Sequence, residues 1–428
     1  MTKRTTPTTT LLPLLLAMGL LASACGGEED VLSDNNTTNN TNNTNNTNTP
    51  EPTSKVDLLF VVDNSLSMAA EQALLVSQFG EFTRVLREAP GGMPDLHVGV
   101  ISTDLGTLPY NIPSCTTQGG DGGRLLAGPN SSCSNPVGQR YIVDIAPKGC
   151  TVERDPGDDS VCTASDCSVA NCTQDNFVSG EGYSEPDGLQ FVEDENGCPR
   201  CRNYSGEDLE TVFSCNASLG TAGCGFEQPL ESMRLALSTG NTANARFVRS
   251  EAMLAVLFLT DKDDCSADNV EIFNPEGGIS DTLGPLTSFR CTEFGIRCDE
   301  DWQRIMPEGS MSYNNCVART QGDAMRMLYP VSRYTDFLRD LKGNYPILMT
   351  TLSGPYVSTL NVGVDENQHP RLGFSCGEAV PAVRLREFVS AFQGAPEGNS
   401  GSICDSNYAP TLISLGEAIR ANLPTAGE

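Results

Sequence analysis

The apolar positions near residue 60 form a continuous run, which predicts a strand that is buried on both faces of a sheet. The run covers 56–62 and ends abruptly at Asp63. Beyond Asp63, apolar side chains recur at steps of four, three and four residues, which is the spacing of one helical face. The positions on that face are Leu75, Phe79, Phe82 and Leu86. The pattern therefore predicts a central strand, a turn and an amphipathic helix.

The same alternation of strand and helix patterns returns along the chain. Further strands are predicted at 96–103, 252–260 and 345–352, and further helices ending near 237 and covering 334–341, 379–392 and 408–423. Alternating strands and helices are typical of proteins with a mostly parallel sheet. We therefore predict an α/β fold with a doubly wound, mostly parallel sheet.

Two cysteine-rich stretches interrupt this alternation, at about 105–214 and 266–330. Both are rich in residues typical of loops, and within the first only 139–145 resembles a strand, which we expect at an antiparallel edge of the sheet. We interpret the stretches as insertions held by disulfides, so that one domain extends over 55–425.

Three side chains that carry oxygen follow the first strand, namely Asp63, Ser65 and Ser67. They lie at the carboxyl edge of the predicted sheet, where open α/β folds bind their ligands. Hard oxygen donors suit Mg²⁺, Mn²⁺ or Ca²⁺ rather than zinc or copper. Alternatively, Asp63 and Ser65 only cap the helix. The next strand ends in the polar residues 102–104, which would surround the ion as a second layer or simply turn the chain.

The stretch 63–67 resembles the metal-ion-dependent adhesion site (MIDAS) of von Willebrand factor A (VWA) domains, which opens with Asp-x-Ser-x-Ser. The usual fourth residue is glycine, and this chain has Leu66. By this resemblance, the second element of the site is Thr221, in a loop before a helix. The third is Asp261, a second carboxylate at the end of a strand. The resemblance implies one divalent cation, with Mg²⁺ foremost and Mn²⁺ or Ca²⁺ as alternatives, bound by Asp63, Ser65, Ser67, Thr221 and Asp261.

The function that this resemblance implies is non-enzymatic adhesion, in which an acidic side chain of a protein partner completes the coordination of the ion. One alternative is a structural envelope lipoprotein with a vestigial metal site. A metal-dependent hydrolase is a weaker alternative. The chain has only two histidines, His97 and His369, and no Gly-x-Ser-x-Gly or phosphate-binding glycine motif.

The N-terminus has the pattern of an export signal, covering 1–24. Two basic residues precede an apolar segment that is too short to span a bilayer stably. The junction at 21–25 resembles a bacterial lipoprotein signal, which implies that Cys25 carries the lipid. Alternatively, ordinary cleavage occurs after Ala24. Because Gly26 follows instead of an aspartate, the resemblance favours an outer-membrane lipoprotein of the bacterial envelope.

Residues 25–54 are rich in asparagine and threonine and should form a disordered tether between the anchor and the domain. The formal net charge of −28 repels nucleic acid and anionic lipid head groups. We therefore expect no nucleic-acid partner, and contact with the membrane only through the lipid anchor.

Seventeen cysteines are present, and sixteen remain once Cys25 is set aside. An even number in an exported chain predicts disulfides. We expect disulfides also at 198–201, rather than a redox or zinc site, because zinc needs thiolates that stay reduced. The candidates are Cys115, Cys133, Cys150, Cys162, Cys167, Cys172, Cys198, Cys201, Cys215, Cys224, Cys265, Cys291, Cys298, Cys316, Cys376 and Cys404.

Overall fold

A computed structural model describes residues 53–155, 157–174, 188–194, 196–392 and 400–424 of the chain. The predicted signal peptide, the lipidation site Cys25 and nearly all of the tether lie outside these ranges. Among the helices in these ranges, none is both long and apolar enough to cross a bilayer.

Long apolar runs of the sequence form the central strands of the structure. The strands of the described ranges are β1 (Lys55–Val62), β2 (Asp95–Ser102), β3 (Ile142–Ile145), β4 (Thr151–Asp155), β5 (Asp158–Ser165), β6 (Gln190–Glu193), β7 (Pro199–Arg202), β8 (Met253–Leu259), β9 (Ile296–Arg297), β10 (Ser310–Asn314), β11 (Val317–Ala318), β12 (Ile347–Ser353), β13 (Thr359–Val364), β14 (Pro370–Leu372) and β15 (Gly401–Ser402). The α-helices there are α1 (Ala69–Arg87), α2 (Leu209–Ala217), α3 (Pro229–Leu237), α4 (Phe289–Gly295), α5 (Ser332–Lys342), α6 (Val383–Ser390) and α7 (Ala409–Arg420).

Eight strands form one mixed, mostly parallel sheet in the order β15-β12-β8-β1-β2-β3-β7-β6. The first five of these strands are parallel to one another. The remaining pairs, β2 with β3, β3 with β7 and β7 with β6, are antiparallel. The expected edge strand at 139–145 is β3, but it is not at the edge, because β7 and β6 continue the sheet beyond it. The α/β class predicted from the sequence is confirmed.

Helices pack against both faces of this sheet because successive side chains of β1 point to opposite sides. Phe60 belongs to a buried cluster with residues of α1, α2 and α7, in which the rings of Phe79 and Phe213 stack with centroids 3.7 Å apart. Leu59 and Val61 belong to the opposite cluster, with residues of α3, α5 and α6. The continuous apolar run of β1 is therefore explained by burial on both sides.

The two predicted insertions are more ordered than expected. The first supplies three strands of the main sheet, and its expected end at residue 214 falls inside α2. The second supplies α4 and short strands, of which β10 joins β13 and β14 in a separate sheet. The helix expected at 379–392 begins only at Val383, because the preceding residues form a loop whose Val380 N–H donates to the Asp261 carbonyl oxygen.

All sixteen cysteines predicted to form disulfides are paired. The pairs are Cys115–Cys224, Cys133–Cys215, Cys150–Cys167, Cys162–Cys198, Cys172–Cys201, Cys265–Cys291, Cys298–Cys316 and Cys376–Cys404. Cys198 and Cys201 pair with different partners and not with each other, which argues against a redox motif at this position. Eight disulfides indicate an oxidising, exported environment.

Candidate metal centre

The carboxylates of Asp63 and Asp261 meet at the carboxyl edge of two paired central strands. Strand β1 pairs in parallel with β8, with Val62 opposite Leu259, so the residues that follow the two strands are neighbours. The Asp63 N–H donates to the carbonyl oxygen of Leu259 at 2.9 Å and continues this pairing by one residue. Both aspartates are buried, at 0% and 4% exposure.

The carboxylate of Asp63 is held by two hydrogen bonds. Its Oδ1 accepts the backbone N–H of Ser65 at 2.8 Å, and its Oδ2 accepts the hydroxyl of Thr260 at 2.7 Å. Helix α1 has no side-chain cap at its N-terminus, and the Ser65 hydroxyl has no hydrogen-bond partner. The alternative in which Asp63 and Ser65 cap the helix therefore does not describe this turn.

A third carboxylate, which the sequence did not predict, completes the cluster. One oxygen each from Asp63, Glu227 and Asp261 lie within 4.8 Å of one another, and all three residues are buried. Glu227 lies in the loop before α3, which crosses the strand ends. The neighbouring Gln228 N–H donates to the Thr103 carbonyl oxygen, and the Glu227 carbonyl oxygen accepts the Cys265 N–H. The sequence feature that could have identified Glu227 is its position between a glycine-rich stretch and a helix.

Thr221 lies in the same loop as Glu227 but is not brought into hydrogen-bonding contact with these carboxylates. It is half-buried, and its hydroxyl donates no hydrogen bond to any described residue. The loop itself is attached to the site through Gly220, which exchanges two hydrogen bonds with the Gln72 side chain, and through the Gly223 N–H, which donates to Asn64. Thr221 therefore lies in the loop that also carries Glu227, and its role as a ligand stays a prediction.

Burial and mutual repulsion set the electrostatics of the cluster. Burial, together with the charge of Asp261, raises the pKa of Asp63 to about 6. Burial, followed by the charge of Asp63, raises the pKa of Glu227 well above its usual range. Lys262 Nζ lies 2.6 Å from Asp261 Oδ2, and this attraction outweighs the opposing effect of burial and raises the pKa of Lys262. Without another cation, therefore, one ammonium group faces three carboxylates.

The two other aspartates after β8 do not belong to the cluster. Asp264 forms an ion pair with the buried Arg384 at 2.9 Å. Asp263 accepts the backbone N–H groups of Arg384 and Leu385 at the start of α6. The repulsion among the three carboxylates at 261–264 is thus partly relieved by the protein itself.

Several buried oxygens around the cluster have no hydrogen-bond partner. They are Asp261 Oδ1, the Ser65 hydroxyl and the Thr103 hydroxyl. The Ser67 hydroxyl donates to Asp261 Oδ2 at 2.8 Å, so it touches the other oxygen of the same carboxylate. Unpaired buried polar atoms are costly, and a hard cation accepts lone pairs from carboxylates and hydroxyls alike. The donor set therefore fits one divalent ion.

The residues at the end of β2 have different roles. The Asp104 carboxylate accepts the N–H groups of Gly106 and Cys224, and the Ser102 hydroxyl donates to Asp121. These two residues turn the chain and attach neighbouring loops. Only Thr103, whose hydroxyl is buried and unpaired, has an oxygen available next to the cluster.

Neither histidine lies at this edge in a position to act as a base. His97 precedes the middle of β2 and is buried, with Nδ1 2.8 Å from the Phe247 carbonyl oxygen. Burial lowers the pKa of His97 well below its usual range, which keeps its ring neutral. His369 Nδ1 lies 3.8 Å from Asp365, between β13 and β14.

No model of a known protein family matches this chain, and no curated protein sequence matches it either. The resemblance to VWA domains accordingly rests on the residues around Asp63 and Asp261.

Proposed function

We propose that this chain is a divalent-cation-dependent, non-enzymatic binding protein whose doubly wound domain is of the VWA type. The observation that carries the proposal is the buried group of Asp63, Glu227 and Asp261, within 4.8 Å, beside an Asp261 oxygen that lacks a hydrogen-bond partner. We infer that the ion is Mg²⁺, with Mn²⁺ or Ca²⁺ as alternatives, and that it is bound directly or through water by Asp63, Ser65, Ser67, Thr221, Glu227 and Asp261.

Glu227 adds a third carboxylate to the two that the resemblance implies. In ionised form, three carboxylates and the Lys262 ammonium leave two negative charges, which one divalent cation neutralises. The ion therefore has little surplus charge with which to attract a partner at a distance. A partner carboxylate would instead be held by direct coordination at close range, and the ion itself should be retained strongly.

The site is open to a partner on one side. A cavity of about 490 Å³ is lined by Ser67 and Asp261 of the site and by residues of α1 and of the loops closed by the disulfide Cys376–Cys404. A side chain of a protein ligand can therefore reach the ligands of the ion without displacing the core. The acidic residue expected from the resemblance would enter here.

The proposed cellular location of the protein rests on two further inferences. The disulfides indicate an oxidising environment, and Cys25 would anchor the domain to the outer membrane of a bacterial envelope through a lipid. In this arrangement the tether 25–54 holds the binding edge away from the membrane, and the net charge of −28 disfavours nucleic acid as a partner.

Calorimetric titration with Mg²⁺ and Mn²⁺ tests the metal site. Asp63→Ala removes a negative ligand, whereas Ser65→Ala removes a neutral one, so the aspartate variant should lose more affinity. Neither variant should unfold, because the core depends on Leu59 and Val256 and not on this edge. The proposal is wrong if wild type binds neither ion, or if Asp63→Ala binds as tightly as wild type.

A pull-down from envelope extract, with Mg²⁺ or with EDTA, tests the adhesive role separately. Partners should be retained with Mg²⁺, released by EDTA and absent with Asp63→Ala. A protein that binds the ion in solution but captures the same proteins with and without EDTA would be a structural envelope protein, and the metal would then have no part in recognition.

A further inference from the structure

A second cavity, of about 240 Å³, adjoins the metal centre. Glu227, one of the three carboxylates, lines this cavity, and so does Lys262, which forms an ion pair with Asp261. Sites for drug-sized ligands span roughly 300–1,000 Å³, so this cavity has the size for one large side chain. Its apolar lining consists of Phe226, Phe289, Leu372, Phe374 and Val380.

Hydrogen bonds and a disulfide connect the walls of this cavity to the residues of the metal centre. On one side, the Val380 N–H donates to the Asp261 carbonyl oxygen at 2.9 Å; on the other, the Cys265 N–H donates to the Glu227 carbonyl oxygen at 2.8 Å. The disulfide Cys265–Cys291 attaches α4, which carries Phe289, to the same strand end. A ligand that occupies both sites would therefore need a defined spacing between two of its side chains.

The rim of this cavity carries charges of both signs, because the exposed Glu378 lies there together with two basic residues. Lys262 and the exposed Arg371 stand there, with the Arg371 guanidinium 4.6 Å from the centre of the Phe374 ring. Phe374 is 43% exposed, although it lines an apolar cavity. The carboxylates of Asp263 and Asp264 in the same wall already have partners. The rim therefore selects neither sign of charge, and the cavity itself offers an apolar interior directly beside the carboxylates of the metal centre.

We propose that this cavity is the specificity pocket of the metal centre, and that it accepts an aromatic side chain adjacent to the acidic residue that completes the ion. The inference rests on the proposed function and adds the class of its ligand, an acidic peptide segment with an aromatic neighbour. Phe374 and Phe289 provide ring edges and faces for such a side chain.

Capped hexapeptides with a central Asp-Phe or Phe-Asp pair, titrated by calorimetry in the presence of Mn²⁺, are the probes. Of the Asp-Phe and Phe-Asp peptides, the one that binds more tightly should exceed the affinity of its counterpart with alanine in place of phenylalanine at least about tenfold. The reason is that phenylalanine buries a large apolar side chain. The Asn-Phe or Phe-Asn counterpart should bind much more weakly, because a neutral amide replaces the carboxylate at the ion.

Two tryptophan variants separate the pocket from the metal centre. Ser288→Trp places a large ring at the mouth of the cavity, where Ser288 is exposed. Its matched control is Ser332→Trp, at the equally exposed first position of α5. Ser288→Trp should abolish the advantage of phenylalanine over alanine while Mn²⁺ affinity stays at the wild-type value, and the control should change neither.

Titration with Mn²⁺ alone distinguishes the possible failures. The pocket proposal is overturned, and the metal centre stands, if wild type binds Mn²⁺ but the phenylalanine and alanine peptides bind equally or not at all. It is likewise overturned if Ser288→Trp retains the full preference for phenylalanine. A wild type that binds no Mn²⁺ overturns both proposals.

Discussion

Single residues in the metal centre differ in how many of their oxygens are already used. Both oxygens of Asp63 accept hydrogen bonds from the protein, whereas Asp261 has one oxygen without a partner. The protein therefore fixes the orientation of the Asp63 carboxylate by itself, and Asp261 has an unused lone pair to offer. Glu227 contributes charge next to both, and burial makes that charge unfavourable without a cation.

We expect Glu227→Gln to have opposite effects on metal binding and on stability. Affinity for Mn²⁺ should fall at least tenfold, since even groups outside the ligand shell commonly change metal affinity about 10–100-fold. The free energy of unfolding of the ion-free protein should rise, because the raised pKa of Glu227 means that the folded state disfavours its ionised form. Calorimetry and urea denaturation in EDTA measure the two effects.

Glu378→Gln is the matched control for this variant. Glu378 is exposed near the same site, and its backbone oxygen, not its carboxylate, contacts Lys262. Removing a screened surface charge should change Mn²⁺ affinity by less than about threefold. Equal losses in the two variants would show that only the general acidity of this edge matters.

At the scale of elements, buried ionic groups join strands β3 and β7, which both belong to the first insertion. Asp144 of β3 accepts hydrogen bonds from Arg200 and Arg202 of β7 and from the Tyr204 hydroxyl. Burial opposes the charge of Asp144, but the two arginines outweigh burial and lower its pKa. This network explains why β3 has a neighbour on each side instead of ending the sheet.

Asp144→Asn should lower the free energy of unfolding at pH 7 by roughly 3–5 kcal/mol, because it leaves Arg200 buried without a countercharge. The folded-state pKa of Asp144 is lowered, so its contribution is present above about pH 4 and lost as the pH falls through the folded pKa. The difference between wild type and variant, measured by urea denaturation, should therefore be constant from pH 5 to 8 and shrink below about pH 4.

An exposed aspartate supplies the comparison. Asp336, on the surface of α5, has only a 3.9 Å ion pair with Arg339, and Asp336→Asn should cost less than about 0.5 kcal/mol. If Asp144→Asn were equally mild, the buried network would not be what stabilises the pairing of β3 with β7.

At the scale of the whole molecule, disulfides replace the apolar contacts that loop-rich segments lack. Cys115–Cys224 connects the first insertion to the loop that carries Glu227, across 109 residues of sequence. Closing loops of this length restricts the unfolded chain, which is the usual account of disulfide stabilisation. The loop that carries Glu227 is therefore held by a disulfide as well as by hydrogen bonds to the sheet.

We predict that the mature exported protein, unfolded without reductant, has no titratable thiol. Sixteen cysteines are paired in disulfides, and a lipid would block the thiol of Cys25. After reduction, sixteen thiols should appear. Cys25→Ser should also show no thiol before reduction, but it should move from the membrane fraction to the soluble fraction.

Two results would contradict this prediction in different ways. One free thiol per chain in wild type would mean that Cys25 is cleaved free and not lipidated. A Cys25→Ser protein that stays in the membrane after a carbonate wash would place the anchor elsewhere.

The sequence by itself determined the elements whose signal is local. Continuous apolar runs identified β1 and β8, and because parallel strands end at the same edge, Asp63 and Asp261 were expected to meet there. The helical repeat after residue 68 identified α1, and the cysteine count identified a disulfide-bonded, exported chain. Each of these features follows from the chemistry of neighbouring residues along the chain.

Only the tertiary structure decided which distant residues share the site. Glu227 belongs to the carboxylate cluster because backbone hydrogen bonds and a disulfide hold its loop across the strand ends. Asp263 and Asp264 lie outside the cluster because Arg384 and the start of α6 bind them. The place of β3 inside the sheet depends likewise on its pairing with β7 from more than 50 residues further on. Such contacts join segments that are far apart in sequence, and no local pattern of apolar and polar residues encodes them.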